Sequence, residues 1–187
     1  MEYSEPYSVF SVVNFDPMKI LGIDPGSVYC GYGFIKAPDR NAHNAGSRKS
    51  WRPMYLSSGR IVLPARQPLH IRLKELYTNL SEVIAEYGPD EIVIEKMFFA
   101  RGIKAAISMG HTRGVVLIAA ALTGLDIYEY SALEVKKSVV GYGKADKNQV
   151  QKMVKEILTI GHPLSPDSAD ALALALCHAH TRKFDSP

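Results

Sequence analysis

Four carboxylate residues occupy positions where their side chains could work together. Asp24 and Glu95 end two short apolar segments, KILGID and EIVIE, and Asp167 and Asp170 lie three residues apart at the start of PDSADALALALCH. A spacing of three puts both aspartates on one face of a helix. Carboxylates gathered at one place repel each other, and divalent cations relieve that repulsion. Oxygen ligands without a Cys/His cluster favour Mg²⁺ or Mn²⁺, and two such ions can support phosphodiester cleavage.

Each carboxylate also has a purely structural interpretation. Asp24 precedes Pro-Gly and could be a turn residue, and Glu95 could be a solvated strand end. Asp167 could cap the last helix and Asp170 could favour its dipole, which is the better interpretation for these two taken alone. The combination is more specific than any member, because the expected topology brings all four positions together.

Five predicted strands and five predicted helices must position these residues. Patterning predicts strands at 19–24, 29–35, 54–63, 91–95 and 126–130, and helices at 68–87, 101–123, 131–139, 146–159 and 167–182. A three-stranded antiparallel meander followed by β-α-β-α-β predicts an α/β fold, with a five-stranded mixed sheet and helices on both faces. Ligands in such sheets bind beyond the carboxyl ends of the strands. The last helix is apolar nearly all round, so it should be buried with its acidic start at those strand ends.

Length and composition narrow the class of protein. The chain has 187 residues, 47% hydrophobic and 22% charged, which fits one globular domain and excludes disordered, collagen-like and disulfide-stapled chains. Cys30 and Cys177 form no metal-ligand pattern, which favours a reducing, cytosolic setting. The longest apolar stretch, 114–125, has 12 residues where a membrane span needs about 20, so no membrane segment is expected. Residues 1–18 lack Lys and Arg and do not resemble a secretory signal or a transit peptide.

Charge is distributed in blocks. Residues 36–74 hold nine Lys/Arg and one acid, 75–95 hold six acids and no base, 96–113 hold four bases and no acid, and 136–155 hold six Lys and one Asp. Such blocks indicate a polarised surface suited to a polyanion. The alternative is that they only solvate surface faces.

Four segments, in register, resemble the RuvC family of Holliday-junction resolvases. They are ILGIDPGS..CGYGFI at 20–35, IVIEKMFFA at 92–100, EVKKSVVGYGKADKNQVQKMV at 134–154 and PDSADALALALCHAH at 166–180. The resemblance covers residues 18–182. It implies an RNase H-like fold, a homodimer, and a Mg²⁺-dependent endonuclease with two metal ions per active site, for which Mn²⁺ can substitute.

The resemblance also implies roles for individual residues. The catalytic, metal-binding tetrad falls on Asp24, Glu95, Asp167 and Asp170, as the residues themselves suggested. Two lysines near the scissile phosphate fall on Lys136 and Lys147, although without the family match a solvated surface helix would be favoured for them. The aromatic residue that stacks on a junction base falls on Phe98. Further DNA contacts are assigned to basic residues, with a plain surface role as the alternative: Arg101, Lys104, Lys137 and Lys144.

Two regions depart from the family pattern. Residues 1–17 precede the usual start and are predicted to be a flexible extension to a single nuclease domain at 18–187. The loop at 37–53 is longer and more basic than expected. Neither contains a tetrad residue.

The expected function is resolution of four-way DNA junctions by paired symmetric nicks, in recombination and repair. Expected partners are junction DNA, a second copy of the chain, joined in part through the 101–123 helix, and a branch-migration helicase complex. The expected location is the cytoplasm, at the nucleoid. Three alternatives remain: a catalytically inactive junction-binding protein, an actin-like or sugar-kinase-type nucleotide-binding domain, and an RNase H-type nuclease for RNA–DNA hybrids.

Overall fold

In the part of the chain that the structure describes, one mixed sheet of five strands organises the fold. A computed structural model describes residues 17–37, 52–96 and 102–182. The strands are β1 (Met18–Pro25), β2 (Tyr29–Ala37), β3 (Met54–Val62), β4 (Glu91–Glu95) and β5 (Asp126–Tyr130), and they stand in the order β3-β2-β1-β4-β5. The pairs β1–β2 and β2–β3 are antiparallel, whereas β4 runs parallel to both β1 and β5. The predicted meander and mixed sheet are confirmed.

The described residues form five helices, which cover the two faces of the sheet, and every element begins and ends within two residues of its predicted bounds. They are α1 (Leu69–Tyr87), α2 (Ile103–Thr123), α3 (Ala132–Val140), α4 (Lys147–Ile157) and α5 (Pro166–Arg182). Helices α1 and α2 enclose one core with the odd-numbered residues of β1, such as Leu21 and Ile23. Helices α3, α4 and α5 enclose the other, which includes Ile20 and Val93. Alternation along each strand therefore assigns Asp24 to the α5 face.

Helix α5 lies directly on the backbone of β1 and β2 because glycines there leave room for it. A Cβ atom at Gly22 would lie 1.9 Å from the backbone oxygen of Ala171, and one at Gly31 would lie 2.2 Å from that of Asp167. Any side chain at these positions would push the helix away from the sheet. Eleven residues of α5 are buried, as its apolar sequence predicts.

Helix α2 is buried on one side only. Val116, Ala119 and Ala120 pack in the core, whereas large apolar side chains elsewhere on the helix are exposed: Ile103, Ile107, Ile118 and Leu122. By length and mean hydropathy (1.4), Ala105–Thr123 could span a membrane, a property that the count of uninterrupted apolar residues did not detect. Its inner side forms part of the core, so length and composition alone do not make it a membrane segment. Gly110 and Gly114 on α2 are exposed, with no atom of the described chain within 4 Å of a Cβ placed at either position.

Candidate active site

The carboxyl ends of β1 and β4 bring Asp24 and Glu95 to the same edge of the sheet. Ile23 pairs with Ile94 in the parallel ladder, and Asp24 and Glu95 each follow one member of this pair. Both side chains lie on the α5 face, since Val93, two residues before Glu95, packs in the core under α5. The neighbouring strand ends thus give two of the four carboxylates a shared position.

Helix α5 supplies the other two. Its backbone at Asp167 passes over Gly31, which stands opposite Asp24 in the β1–β2 ladder. Asp170 lies one turn further along the helix and is coupled electrostatically to both strand-end carboxylates. The structure therefore brings together all four carboxylates that the sequence singled out.

The electrostatics of the cluster are unfavourable in the absence of a cation. Burial, followed by the charges of Asp170, Glu95 and Asp167, raises the pKa of Asp24 to about 7. Burial and the charge of Asp170 also raise the pKa of Glu95. Both shifts mean that the site resists holding all its negative charge at once, which is the condition that a divalent cation relieves.

Lys147 partly compensates this charge. Its Nζ donates a hydrogen bond to Asp170 Oδ2 at 3.0 Å, and its charge lowers the pKa values of Asp24 and Glu95. The hydrogen bond to Asp170, then its charge, raises the pKa of Lys147 itself. Lys147 is the first residue of α4, and a capping box fixes the start of that helix: the Asp146 side chain accepts from Gln149 N, and the Gln149 side chain accepts from Asp146 N, both at 2.9 Å.

The donor chemistry of the cluster fits a hard divalent cation, since all four candidate ligands are carboxylates. Their spacing is looser than that of a ligand cage: no three Asp, Glu, His or Cys side chains of the described residues lie close enough to hold a metal ion. Mutual repulsion and the Lys147–Asp170 pair both favour this looser arrangement. Asp24, Glu95, Asp167 and Asp170 are the residues that would hold a divalent cation.

The remaining predicted site residues are less constrained. Lys136 on α3 is half-buried and has no ion pair within the described parts of the chain, and Lys137 and Lys144 are exposed. Phe98 and Arg101 lie outside the described residues, as do the N-terminal extension up to residue 16 and the loop from 38 to 51. Lys104 belongs to α2, and its side chain is not described.

Arg113 is a residue whose contact with the site the sequence analysis missed. Its Nη1 donates to the backbone oxygen of Glu95 at 2.8 Å, and its Nη2 pairs with the Glu129 carboxylate on β5. Arg113 therefore ties α2 to the strand end that carries a candidate ligand. The sequence did carry a signal for this contact. Arg113 lies three residues before Val116 and seven before Ala120, so it shares their core-facing side of α2, where a cation needs a partner.

A second polar cluster joins the far end of α5 to the start of β4. His178 Nε2 lies 2.6 Å from Glu91 Oε2 and its Nδ1 lies 2.8 Å from the Tyr130 hydroxyl, while Arg182 Nη1 donates to Glu91 Oε2 at 2.9 Å. Burial alone would raise the pKa of Glu91, but the His178 hydrogen bond and the Arg182 charge lower it overall. The buried carboxylate thus stays ionised and fixes the position of α5 along the sheet.

Comparisons with known proteins agree with this architecture. The family model described as crossover junction endodeoxyribonuclease RuvC matches residues 20–178. The chain belongs to the RuvC family. It is 45% identical to the RuvC of Alkaliphilus oremlandii, covering 89% of this chain and 96% of that protein, and 42% identical to the RuvC of Syntrophomonas wolfei, covering 90% and 92%.

The fold of this chain is similar to that of a solved RuvC structure over most of both chains. The solved structure is that of Thermus thermophilus RuvC in complex with a Holliday junction substrate, with a TM-score of 0.78 and 29% identity, covering 89% of this chain and 96% of that one. The predicted RNase H-like class of the fold is confirmed by this match. All four carboxylates of the cluster lie inside the matched segment of the RuvC family model.

Proposed function

We propose that this chain is a Mg²⁺-dependent endonuclease that resolves four-way DNA junctions by paired symmetric nicks, in homologous recombination and DNA repair. The observation that carries the proposal is the carboxylate cluster at the ends of β1 and β4, in a chain of the RuvC family. Nucleases of this family are metal-dependent. The partial burial of Asp24 and Glu95 beside two further carboxylates supports a site that functions with bound cations.

Asp24, Glu95, Asp167 and Asp170 are the residues proposed to hold two Mg²⁺ ions, for which Mn²⁺ can substitute. When bound, the ions supply a lowered pKa for the attacking water and stabilisation of the leaving oxygen. Hydrolysis adds the water oxygen to phosphorus and breaks the bond to the 3′ oxygen, which leaves with a proton. The products are a 5′-phosphate and a 3′-hydroxyl.

Two lysines are proposed to assist the reaction from α3 and α4. Lys147 supports this role by its position, because its ammonium lies against Asp170 and carries a charge that a phosphate could share. Fixed positive charge at the site of developing negative charge stabilises the transition state. Lys136 is half-buried on α3 and, together with the exposed Lys137 and Lys144, is assigned to phosphate contacts.

A second copy of the chain is the partner proposed for the outer side of α2. Exposed apolar side chains and the unoccupied surface at Gly110 and Gly114 support close packing of another helix there. A two-fold dimer presents two equivalent sites, which matches a substrate cut on two opposing strands. We further propose that junctions are delivered by a branch-migration helicase complex, in the cytoplasm at the nucleoid.

The decisive experiment is cleavage of an immobile four-way junction, with a linear duplex and an RNA–DNA hybrid as control substrates. Reactions in Mg²⁺, Mn²⁺ and EDTA are run with the wild-type protein, with Asp24→Asn and with Asp126→Asn, a matched substitution at the exposed start of β5. Paired nicks that need metal, survive Asp126→Asn and disappear in Asp24→Asn support the proposal. Tight junction binding without nicks on several junction sequences would instead indicate a junction-binding protein without nuclease activity.

A further inference from the structure

An arginine that the sequence analysis did not single out lies in the same row of the sheet as the candidate ligand Asp24. Asp24 stands opposite Gly31, and Gly31 stands opposite Arg60 on β3. Both pairings are antiparallel, so the three residues share the α5 face of the sheet, about two strand spacings or roughly 10 Å across. The backbone of Asp167 lies above the central glycine, so Arg60 flanks the start of α5 on the side towards β3.

An aromatic ring holds the guanidinium group of Arg60. Its Cζ atom lies 4.5 Å from the ring centroid of Tyr29, which belongs to β2 and is 37% exposed. Such a contact orients a guanidinium group over the ring face and leaves its N–H groups open to an anion. Arg60 is exposed, and no carboxylate of the described residues pairs with it. It is therefore available for a ligand from outside the chain.

The surroundings favour an anionic ligand. Residues 52–66, which contain β3, hold three Arg and no acid, and Arg72 donates a hydrogen bond from α1 to the Ser27 carbonyl in the turn that follows Asp24. Lys147 reaches the carboxylates from α4, whereas Arg60 stands on β3 beyond Gly31. The carboxylate cluster thus has cations from two separate elements beside it. A polyanionic strand that crosses the cluster can meet both.

We propose that Arg60, held by Tyr29, binds a backbone phosphate of the DNA strand that occupies the carboxylate cluster. This inference rests on the proposed function. Arg60 binds and positions the strand, and it takes no part in the chemical step because the row of the sheet separates it from Asp24. The ligand chemistry is a phosphodiester anion, recognised without reading the base.

The test compares Arg60→Gln and Tyr29→Leu with the matched control Lys74→Gln, which removes an exposed charge from α1 on the opposite face of the sheet. Junction binding is measured in EDTA over a range of salt concentrations, and cleavage is measured under single-turnover conditions at saturating enzyme. Arg60→Gln should raise Kd several-fold, and should reduce the slope of log K against log salt by about 1, because one phosphate contact is lost.

Tyr29→Leu should raise Kd about two- to fivefold, since only the support of the guanidinium is removed. The rate at saturation should stay at the wild-type value in both.

A junction with one neutral methylphosphonate at successive positions beside the cut site then identifies the contacted phosphate. At that position the modification should weaken binding of the wild type and leave Arg60→Gln unaffected. The inference is overturned if Arg60→Gln matches Lys74→Gln in Kd and salt slope, or if its saturated rate collapses while its binding is unchanged. If the wild-type protein neither binds nor cuts the junction, the proposed function itself is refuted. If the wild-type protein cuts the junction and Arg60→Gln binds it with the wild-type Kd and salt slope, only the inference about Arg60 is refuted.

Discussion

Replacing Gly31 by alanine should slow DNA cleavage while the protein remains folded. A Cβ atom at this position would lie 2.2 Å from the backbone oxygen of Asp167, whereas ordinary contact begins near 3.4 Å. Relief of this contact requires a movement of about 1.2 Å, either of the start of α5 or of strand β2. Because Asp167 and Asp170 lie on that turn, the shift displaces two of the four carboxylates from the other two.

A misplacement of about 1 Å in a catalytic arrangement can cost on the order of 100-fold in rate. We therefore expect the single-turnover cleavage rate of Gly31→Ala to fall by roughly that factor. Overpacking of this kind costs about 1–3 kcal/mol of stability, so the variant should still be folded at 25 °C. Junction affinity in EDTA should change little, because no residue proposed to contact the DNA is removed.

The control is Gly161→Ala, at a glycine with no atom of the described chain within 4 Å of the added Cβ. Circular dichroism and thermal unfolding establish that both variants are folded, and the rates are compared on the same junction. Equal rates in the two variants would refute the argument that contact between the glycine and the helix backbone positions the carboxylates. If Gly31→Ala loses cooperative unfolding at 25 °C, the comparison is repeated at the lower temperature at which the variant is folded, where the same displacement should slow cleavage.

Three further predictions concern charge. Because burial and the neighbouring carboxylates raise the pKa of Asp24 to about 7, protonated Asp24 contributes stability that is complete below about pH 4 and is lost as the pH rises through 7. Thermal unfolding in EDTA should show this loss. Asp24→Asn should reduce it, leaving the contribution of Glu95, whose pKa is also raised. Lys147→Met should lower the cleavage rate about 10²–10³-fold in a single-turnover assay, whereas Lys152→Met, which removes an exposed lysine from the same helix, should be nearly silent. Glu91→Ala leaves a buried histidine and an arginine without their anion, so urea unfolding should show a loss of about 3–5 kcal/mol, and a loss below 1 kcal/mol would contradict the assigned role of the cluster.

Local patterning predicted the elements and the identity of the carboxylates. The alternation and length of apolar segments gave each strand and helix within two residues, because each depends on neighbours in the sequence. Asp24 and Glu95 could be assigned to one edge because parallel strands end together. The all-round apolar character of α5 required its burial, and burial on the sheet carries Asp167 and Asp170 to that edge.

Contacts between distant parts of the chain could not be predicted in the same way. Lys147 and Asp170 are 23 residues apart, and their pairing depends on how α4 packs against α5. Glu91 and His178 are 87 residues apart, and their pairing depends on the register of a helix along a strand. Arg60 stands beside the site only because the β1–β2 and β2–β3 registers place it in the row of Asp24. These registers emerge from tertiary packing, for which a single sequence carries little signal.

The two ends of α5 explain how the chain tolerates an unfavourable site. At its start, two aspartates approach the half-buried Asp24 and Glu95, and burial, followed by the charges of the neighbouring carboxylates, raises the pKa of both, so the fully charged site is destabilising. At its other end, the carboxylate of Glu91 accepts hydrogen bonds from His178 and Arg182, and its lowered pKa shows that this contact favours the charged form. One helix joins both ends. The Glu91 contact and the close packing of α5 on Gly22 and Gly31 therefore hold Asp167 and Asp170 in place against the repulsion among the carboxylates. Packing at the far end of α5 thus opposes the repulsion among the carboxylates at the edge of the sheet. Weakening the Glu91 contact should therefore make the positions of Asp167 and Asp170 less well fixed, although no carboxylate of the cluster is changed.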